Sequence, residues 1–244
     1  MTPISPEVRA ELAPGGKLRV GINHSNFLIV TPGSPFGAPK GIAPDLALEL
    51  GRRAGVPVEF VSYDAAGKLA DAVKGAEVDL GFLGNEPQRA DVIAFSPAYV
   101  ELPVTYLVPA GSPIRSLADV DRAGVRIAVS ARSAYDLYLS RNLKHAQLAR
   151  AEGIPASAKL FAEQKLEALA GLKPGLMAEA QKLPGSRVLD GQVTSVQQSI
   201  GAPKDRQAAA RFLREFVEDI KRSGLVAQTV QKHGVKGIDV APPA

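Results

Sequence analysis

A two-lobed α/β fold, each lobe a mainly parallel sheet flanked by helices, is what this 244-residue sequence predicts. Three observations carry the prediction. Short apolar, β-rich runs alternate with helical patterns through the first eighty or so residues, the signature of parallel strands joined by right-handed crossovers. A second series of the same kind begins after Pro97 and Pro103. A late strand-like stretch, VTSVQQSIGAPK from Val193 to Lys204, then leads into amphipathic helices, as though the C-terminus returns to complete the first lobe. Two crossings follow, placing lobe one at residues 1–102 plus 192–244 and lobe two at residues 103–191.

After a Pro-rich lead, Lys17 to Ile22 (KLRVGI) reads as a strand ending in the polar loop from Asn23 to Asn26. Pro44 suits a first helical position, with Asp45 beside the positive end of the helix dipole and Gly55 as the stop. Val58 to Tyr63 (VEFVSY) is β-rich, Asp64 is suited to cap a helix through Val73, and Val78 to Leu83 (VDLGFL) is the third strand. Pro87 opens a short helix. In lobe two the expected elements are Val104 to Val108, a short helix capped by Ser116, Val125 to Val129, and a helix from Ser133. Helix and strand cannot be separated by pattern from Lys165 to Leu172. Arg187 to Leu189 reads as a strand, Asp205 to Lys221 as a long amphipathic helix, and a last helix runs to about His233.

Composition narrows the function. Hydrophobic residues make up 45% and charged residues 22%, with no repeat or low-complexity tract, so nearly the whole chain should fold. The net charge of +4 is spread among interleaved acids, and no basic run alternates with aromatics, which argues against nucleic acid as a partner. With no cysteine there are neither disulfides nor thiolate metal sites. No metal-ligand cluster, phosphate loop or Ser/His/Asp order appears, so neither a metal, a cofactor nor catalytic residues are assigned. The start, MTPISPEVRAELAPGGKL, lacks the basic and then apolar pattern of a secretory signal. The expectation is that a signal was removed or that the protein stays in the cytoplasm.

In order and spacing, KLRVGI, GIAPDLALELGRRAG, VDLGFLGNEPQRADVIAFSPAYV and GVRIAVSARSAYDLYL resemble the family-3 extracellular solute-binding proteins of ABC importers. The resemblance implies the type II periplasmic-binding-protein fold, a hinged clamshell that closes on one solute per monomer and is read by the importer's membrane subunits. It also implies a periplasmic or extracellular location. Ligands in open parallel sheets sit beyond the strand C-termini, which here carry the loops from Asn23 to Asn26 and from Gly84 to Arg89.

Residue by residue, the resemblance makes Arg89 the clamp for a ligand carboxylate, although the loop between Asp79 and Arg89 is shorter than in the family. The alternative for Arg89 is a solvated residue on a surface helix. Gly84 and Asn85 match backbone that offers N–H groups to the solute, unless Asn85 caps the helix at Pro87. Asn23, His24 and Asn26 stand where relatives supply a contact, with an exposed loop histidine as the other reading of His24. In lobe two, Ser130 to Tyr135 (SARSAY) matches a segment that usually reads glycine and then threonine or serine. Ser133 fits as both N-cap and anion contact, while Arg132 replaces the glycine and is read as either a contact or an outward-pointing cation. Tyr135 is either packing or a platform for a ring.

The acidic residue that holds a ligand ammonium in the family has no counterpart: the stretch reads LEALAGLKP, with Leu172 or Lys173 in its place. An unpaired ammonium in a closed cleft is costly. The expected ligand is therefore a small carboxylate-bearing, anionic solute. Two other functions remain open. One is a dehydratase on the same fold, like the cyclohexadienyl dehydratases, although the protein is expected not to be an enzyme: Glu86 is the one candidate acid, and the helix entrance beside it favours the charged form. The other is an intracellular metabolite sensor.

Overall fold

Three parallel strands organise the first part of the chain. They are β1 (Leu18–Asn23), β2 (Val58–Tyr63) and β3 (Leu80–Asn85), with β1 in the middle. The computed structural model describes residues 4–244. The chain up to Glu101 together with Gln197–Ala244 forms one unit, and Leu102–Val196 forms the other.

In the first unit a short helix, α1 (Pro6–Leu12), occupies the Pro-rich lead, capped by Ser5 and opened by Pro6. α2 (Ile42–Ala54) begins two residues before Pro44, which is tolerated because amides in a helix's first turn have no intrahelical partner. Its N-cap is Gly41, at φ 135°, where a side chain would collide with the Ile29 carbonyl. α3 (Ala66–Lys74) is not capped by Asp64. Its N-cap is Ala65, and the Asp64 carboxylate pairs instead with Lys68 at 2.9 Å. Gly21 and Gly81 are register partners, and a Cβ on either would strike Leu69 or Val73. These paired glycines let α3 settle on the sheet.

α4 (Pro87–Ala90) and the three-residue β4 (Ile93–Phe95) follow β3. β5 (Val100–Val108) starts four residues earlier than expected and carries the chain into the second unit. There β6 (Arg126–Ser130), β7 (Gln147–Ala151) and β8 (Ala168–Leu172) are mutually parallel around β6, and β5 runs antiparallel to β8. The ambiguous stretch from Lys165 is thus a strand, preceded by α6 (Ile154–Glu163) and followed by α7 (Lys173–Ala180). α5 (Ala134–Asn142) lies between β6 and β7. Ser116 opens a 3-10 turn, Leu117–Asp119, and Asp119 accepts the Ser116 N–H at 2.9 Å in return. Phe161, Leu166, Leu169 and Leu176 form this unit's core with Leu107 and Ala128.

After β9 (Arg187–Val188), β10 (Thr194–Pro203) returns to the first unit and runs antiparallel to β3 and β4. α8 (Gln207–Arg222) buries Ala209, Leu213, Phe216, Val217 and Ile220 along one stripe, the spacing of a helix facing a core. α9 (Leu225–Lys232) ends at His233, where Lys232 and His233 both hold Asp45 of α2, at 2.7 and 2.8 Å. β11 (Asp239–Val240) pairs with β5 at Val100 and Glu101. The mixed α/β sheets are the expected fold class.

β1 and β3 are fastened at their start by Asp79. Its carboxylate accepts from the Arg19 N–H and guanidinium and from Arg206 Nη1 at 2.8 Å. Burial pushes this carboxyl up, and the hydrogen bonds from Arg19 and Arg206 more than offset it, leaving it below the ordinary aspartate range. The opposite, C-terminal ends of the strands are left for other work.

Candidate functional site

Because β1, β2 and β3 are parallel neighbours, their C-terminal ends lie on one edge of the first unit's sheet. Asn23, the last residue of β1, is buried, and its Oδ1 accepts from the Ser25 N–H at 3.0 Å and the Ser25 hydroxyl at 2.9 Å. Asn26 is buried likewise, with its Oδ1 3.3 Å from the Leu28 N–H. Both asparagines fold the loop back on itself, in the manner of side chains that mimic a backbone turn.

His24 is half-buried and not the exposed loop histidine that was one expectation. Its backbone N–H donates to the Tyr63 carbonyl at 2.8 Å, its Nε2 lies 3.1 Å from the Ser62 hydroxyl, and its ring meets Phe36 edge-on at 4.8 Å. The Ser62 hydroxyl gives its own proton to the Phe36 carbonyl at 3.0 Å, which requires the His24 proton on Nε2. Burial lowers the imidazole below its ordinary value.

At the end of β3, Arg89 is only 5% exposed. Its Nη1 donates to the Gly84 carbonyl at 2.8 Å, so the guanidinium is folded onto the strand end. The solvated-surface alternative for Arg89 is overturned by this burial. Asn85 does not cap α4. It is the exposed last residue of β3, opposite Gln197 of β10, and the N-cap is the buried Glu86, whose backbone carbonyl accepts from Arg89 and Ala90 at 2.9 Å. Pro87 after Glu86 sets the helix start one residue later than a cap at Asn85 would.

The second unit also gathers its candidates at strand ends. Ser130 closes β6 and is buried; Arg132 is exposed, at φ 56°; Ser133 is the N-cap of α5, its hydroxyl accepting the Asp136 N–H at 3.1 Å. A left-handed backbone at Arg132 explains why a glycine would be at ease there. Asp136 accepts the Arg132 N–H at 2.7 Å and pairs with Arg150 at 3.0 Å, so the first turn of α5 carries its own buried carboxylate. That negative charge reduces the pull of this helix entrance on outside anions. Tyr135 is buried to 3% exposure, and its hydroxyl has no hydrogen-bond partner among the described residues. Burial pushes its hydroxyl up to about 12, with Ser133 and Ser130 holding it back in part. Leu172 is the buried N-cap residue of α7, and Lys173 begins the helix with its Nζ 3.5 Å from the Gly191 carbonyl.

Residues 18–236 match the profile of the bacterial extracellular solute-binding proteins, family 3. The chain belongs to that family. No curated protein matches the sequence. Among solved structures, it is similar to an amino acid ABC transporter substrate-binding protein from Streptococcus pneumoniae bound to L-arginine, at 18% identity and a TM-score of 0.77 over 94% of this chain and 98% of that one. A solute receptor for L-cysteine of Neisseria gonorrhoeae has 19% identity and a TM-score of 0.77, covering 96% of both chains. An ancestral amino acid-binding protein described as a precursor of cyclohexadienyl dehydratase has 21% identity and a TM-score of 0.75, over 91% and 97%. At these identities the likeness shows the fold, the type II periplasmic binding fold. No helix among the described residues is long and apolar enough to cross a membrane.

One residue at the first unit's strand ends was not legible as a candidate. Phe36, in the Pro/Gly-rich loop TPGSPFGAPK, is 69% exposed yet tied to His24 and Ser62. Nothing in the local pattern separates it from ordinary loop sequence. Its partner His24 was the available hint.

Proposed function

We propose that this family-3 protein delivers a small organic acid to the membrane subunits of an ABC importer outside the cytoplasm, binding one solute per monomer by closure of its lobes. The observation that carries the reading is a contrast of side chains. Arg89 is held at the end of β3, where a bidentate guanidinium suits a carboxylate, while the N-cap of α7 is Leu172 and so offers no carboxylate to an ammonium. Arg132 adds a second cation in lobe two for a solute with two anionic groups. Asn23, His24, Asn26, Gly84, Asn85, Ser130 and Ser133 supply the remaining polar contacts. Closure follows from differential affinity, since a solute that meets more groups in the closed state shifts the population toward it.

A thermal-shift panel of mono- and dicarboxylates against the standard amino acids tests the ligand class. The largest stabilisation is expected from a carboxylate without an α-ammonium; a maximum with arginine or another amino acid overturns it. X-ray scattering at saturation should show a smaller radius of gyration than the free protein.

A dehydratase is the second reading, favoured by the likeness to the ancestral precursor and by buried Glu86 at the strand-end loop. Aromatic product from prephenate or arogenate would support it.

A further inference from the structure

We infer that Phe36 is a specificity-determining residue, the wall against which the ring or alkyl body of an acidic solute packs while Arg89 holds its carboxylate. The inference rests on the assignment of the solute to the strand ends of the first unit. Large aromatic side chains ordinarily bury most of their area, and Phe36 leaves 69% exposed while its ring meets only the edge of His24 among the described ring contacts. Phe36 is also held still. Its loop contains Pro32, Pro35 and Pro39, is closed at the base by Thr31 N–H to the Lys40 carbonyl at 2.7 Å, and turns through Ala38 N–H to the Pro35 carbonyl at 3.2 Å. The Ser62 hydroxyl pins the Phe36 carbonyl, and the His24 ring supports the phenyl edge. An exposed aromatic fixed in advance loses little entropy on contact.

Its position fits the span of a small solute. Ser62 is the penultimate residue of β2 and His24 follows β1, so Phe36 stands over the C-terminal ends of those strands, while Arg89 follows β3 on the other side of β1. Two strand spacings separate the anchors, roughly 10 Å. A carboxylate carrying a phenyl-sized body bridges that distance; pyruvate does not.

Calorimetry with phenylpyruvate and pyruvate as probes tests this on the wild type, Phe36→Ala and Arg89→Ala. Wild type should prefer phenylpyruvate by about tenfold or more, and Phe36→Ala should remove most of that preference while leaving pyruvate affinity unchanged. An unchanged preference in Phe36→Ala, or none in wild type, overturns the inference. If Arg89→Ala weakens both acids while Phe36→Ala leaves their ratio intact, the carboxylate reading stands and only the role of Phe36 falls. If Arg89→Ala binds both as wild type does, the carboxylate reading itself falls. Binding of neither acid to wild type overturns both.

Discussion

The two units end their parallel strands in the same way, in a polar loop that runs into a helix, but they use those ends differently. In the first unit the strand ends carry an arginine folded onto a carbonyl, two asparagines that shape a loop, and an exposed phenyl ring. In the second, the corresponding polar groups are largely spent on one another: Ser133 on the Asp136 amide, Asp136 on Arg132 and Arg150. The N-cap of α7, Leu172, has no polar side chain at all. The Tyr135 hydroxyl of the second unit, by contrast, is buried without a hydrogen-bond partner among the described residues. We propose that the first unit, with Arg89, carries most of the chemistry that chooses a ligand.

The largest test of that division is Arg89→Ala. Loss of a charge-assisted fork should weaken carboxylate binding by about 100-fold, while removal of the buried guanidinium from the Gly84 carbonyl lowers stability by about 1.5–3 kcal/mol. Calorimetry and denaturant melts of one preparation read both effects, and full affinity in the variant would break the comparison. Next in size is Leu172→Asp, which installs a carboxylate at one of the two positions, Leu172 and Lys173, where the resemblance implies one. Affinity for phenylalanine relative to phenylpyruvate should rise by about tenfold. No change would mean that the α7 entrance does not meet the solute.

Ser133→Ala should act mainly on folding. Removing an N-cap hydroxyl lowers stability by about 1 kcal/mol, a fall of about 2–4 °C in melting temperature for a chain of this size. Its effect on carboxylate affinity should be smaller than that of Arg89→Ala. A loss as large as the arginine's would move the second unit into the leading role.

The main architecture was legible in the sequence because β-rich runs and amphipathic stripes are local signals. β2 and α8 are plain in VEFVSY and in the spacing of Leu213, Phe216, Val217 and Ile220. α1, α6 and α7 each carry a proline in the first turn, a legible start signal, but their apolar stripes are short and their compositions mixed. β4 and β11 have three and two residues and exist through the strands they pair with, which no local pattern reveals. At the candidate site, residue type pointed to Ser133 as a cap, while Arg89 was named through the resemblance. Burial was beyond local reading. It turned Tyr135 inward, drew His24 under a loop and left Phe36 outside, all through contacts between segments distant in sequence.

The smallest effect is the pH response of His24, and it sharpens the comparison by asking how firmly the Phe36 loop is tied to the first unit. Burial depresses the imidazole below its unfolded value of about 6.5, so the unfolded chain binds this proton more readily than the folded one. The neutral ring therefore contributes its full stability above that unfolded value. The contribution declines as pH falls through it and levels off only below the depressed folded value. The Nε2–H that donates to Ser62 survives protonation, so the loss comes from charging a half-buried ring beneath Phe36 and not from a broken hydrogen bond. Denaturant melts at pH 8 and pH 5 should show His24→Gln losing less stability across that interval than wild type, since the amide keeps a donor for Ser62 without a titrating proton. Carboxylates common to both proteins cancel in the difference. Equal losses in the two proteins would mean that His24 does not feel its burial and that the loop over it opens freely in solution.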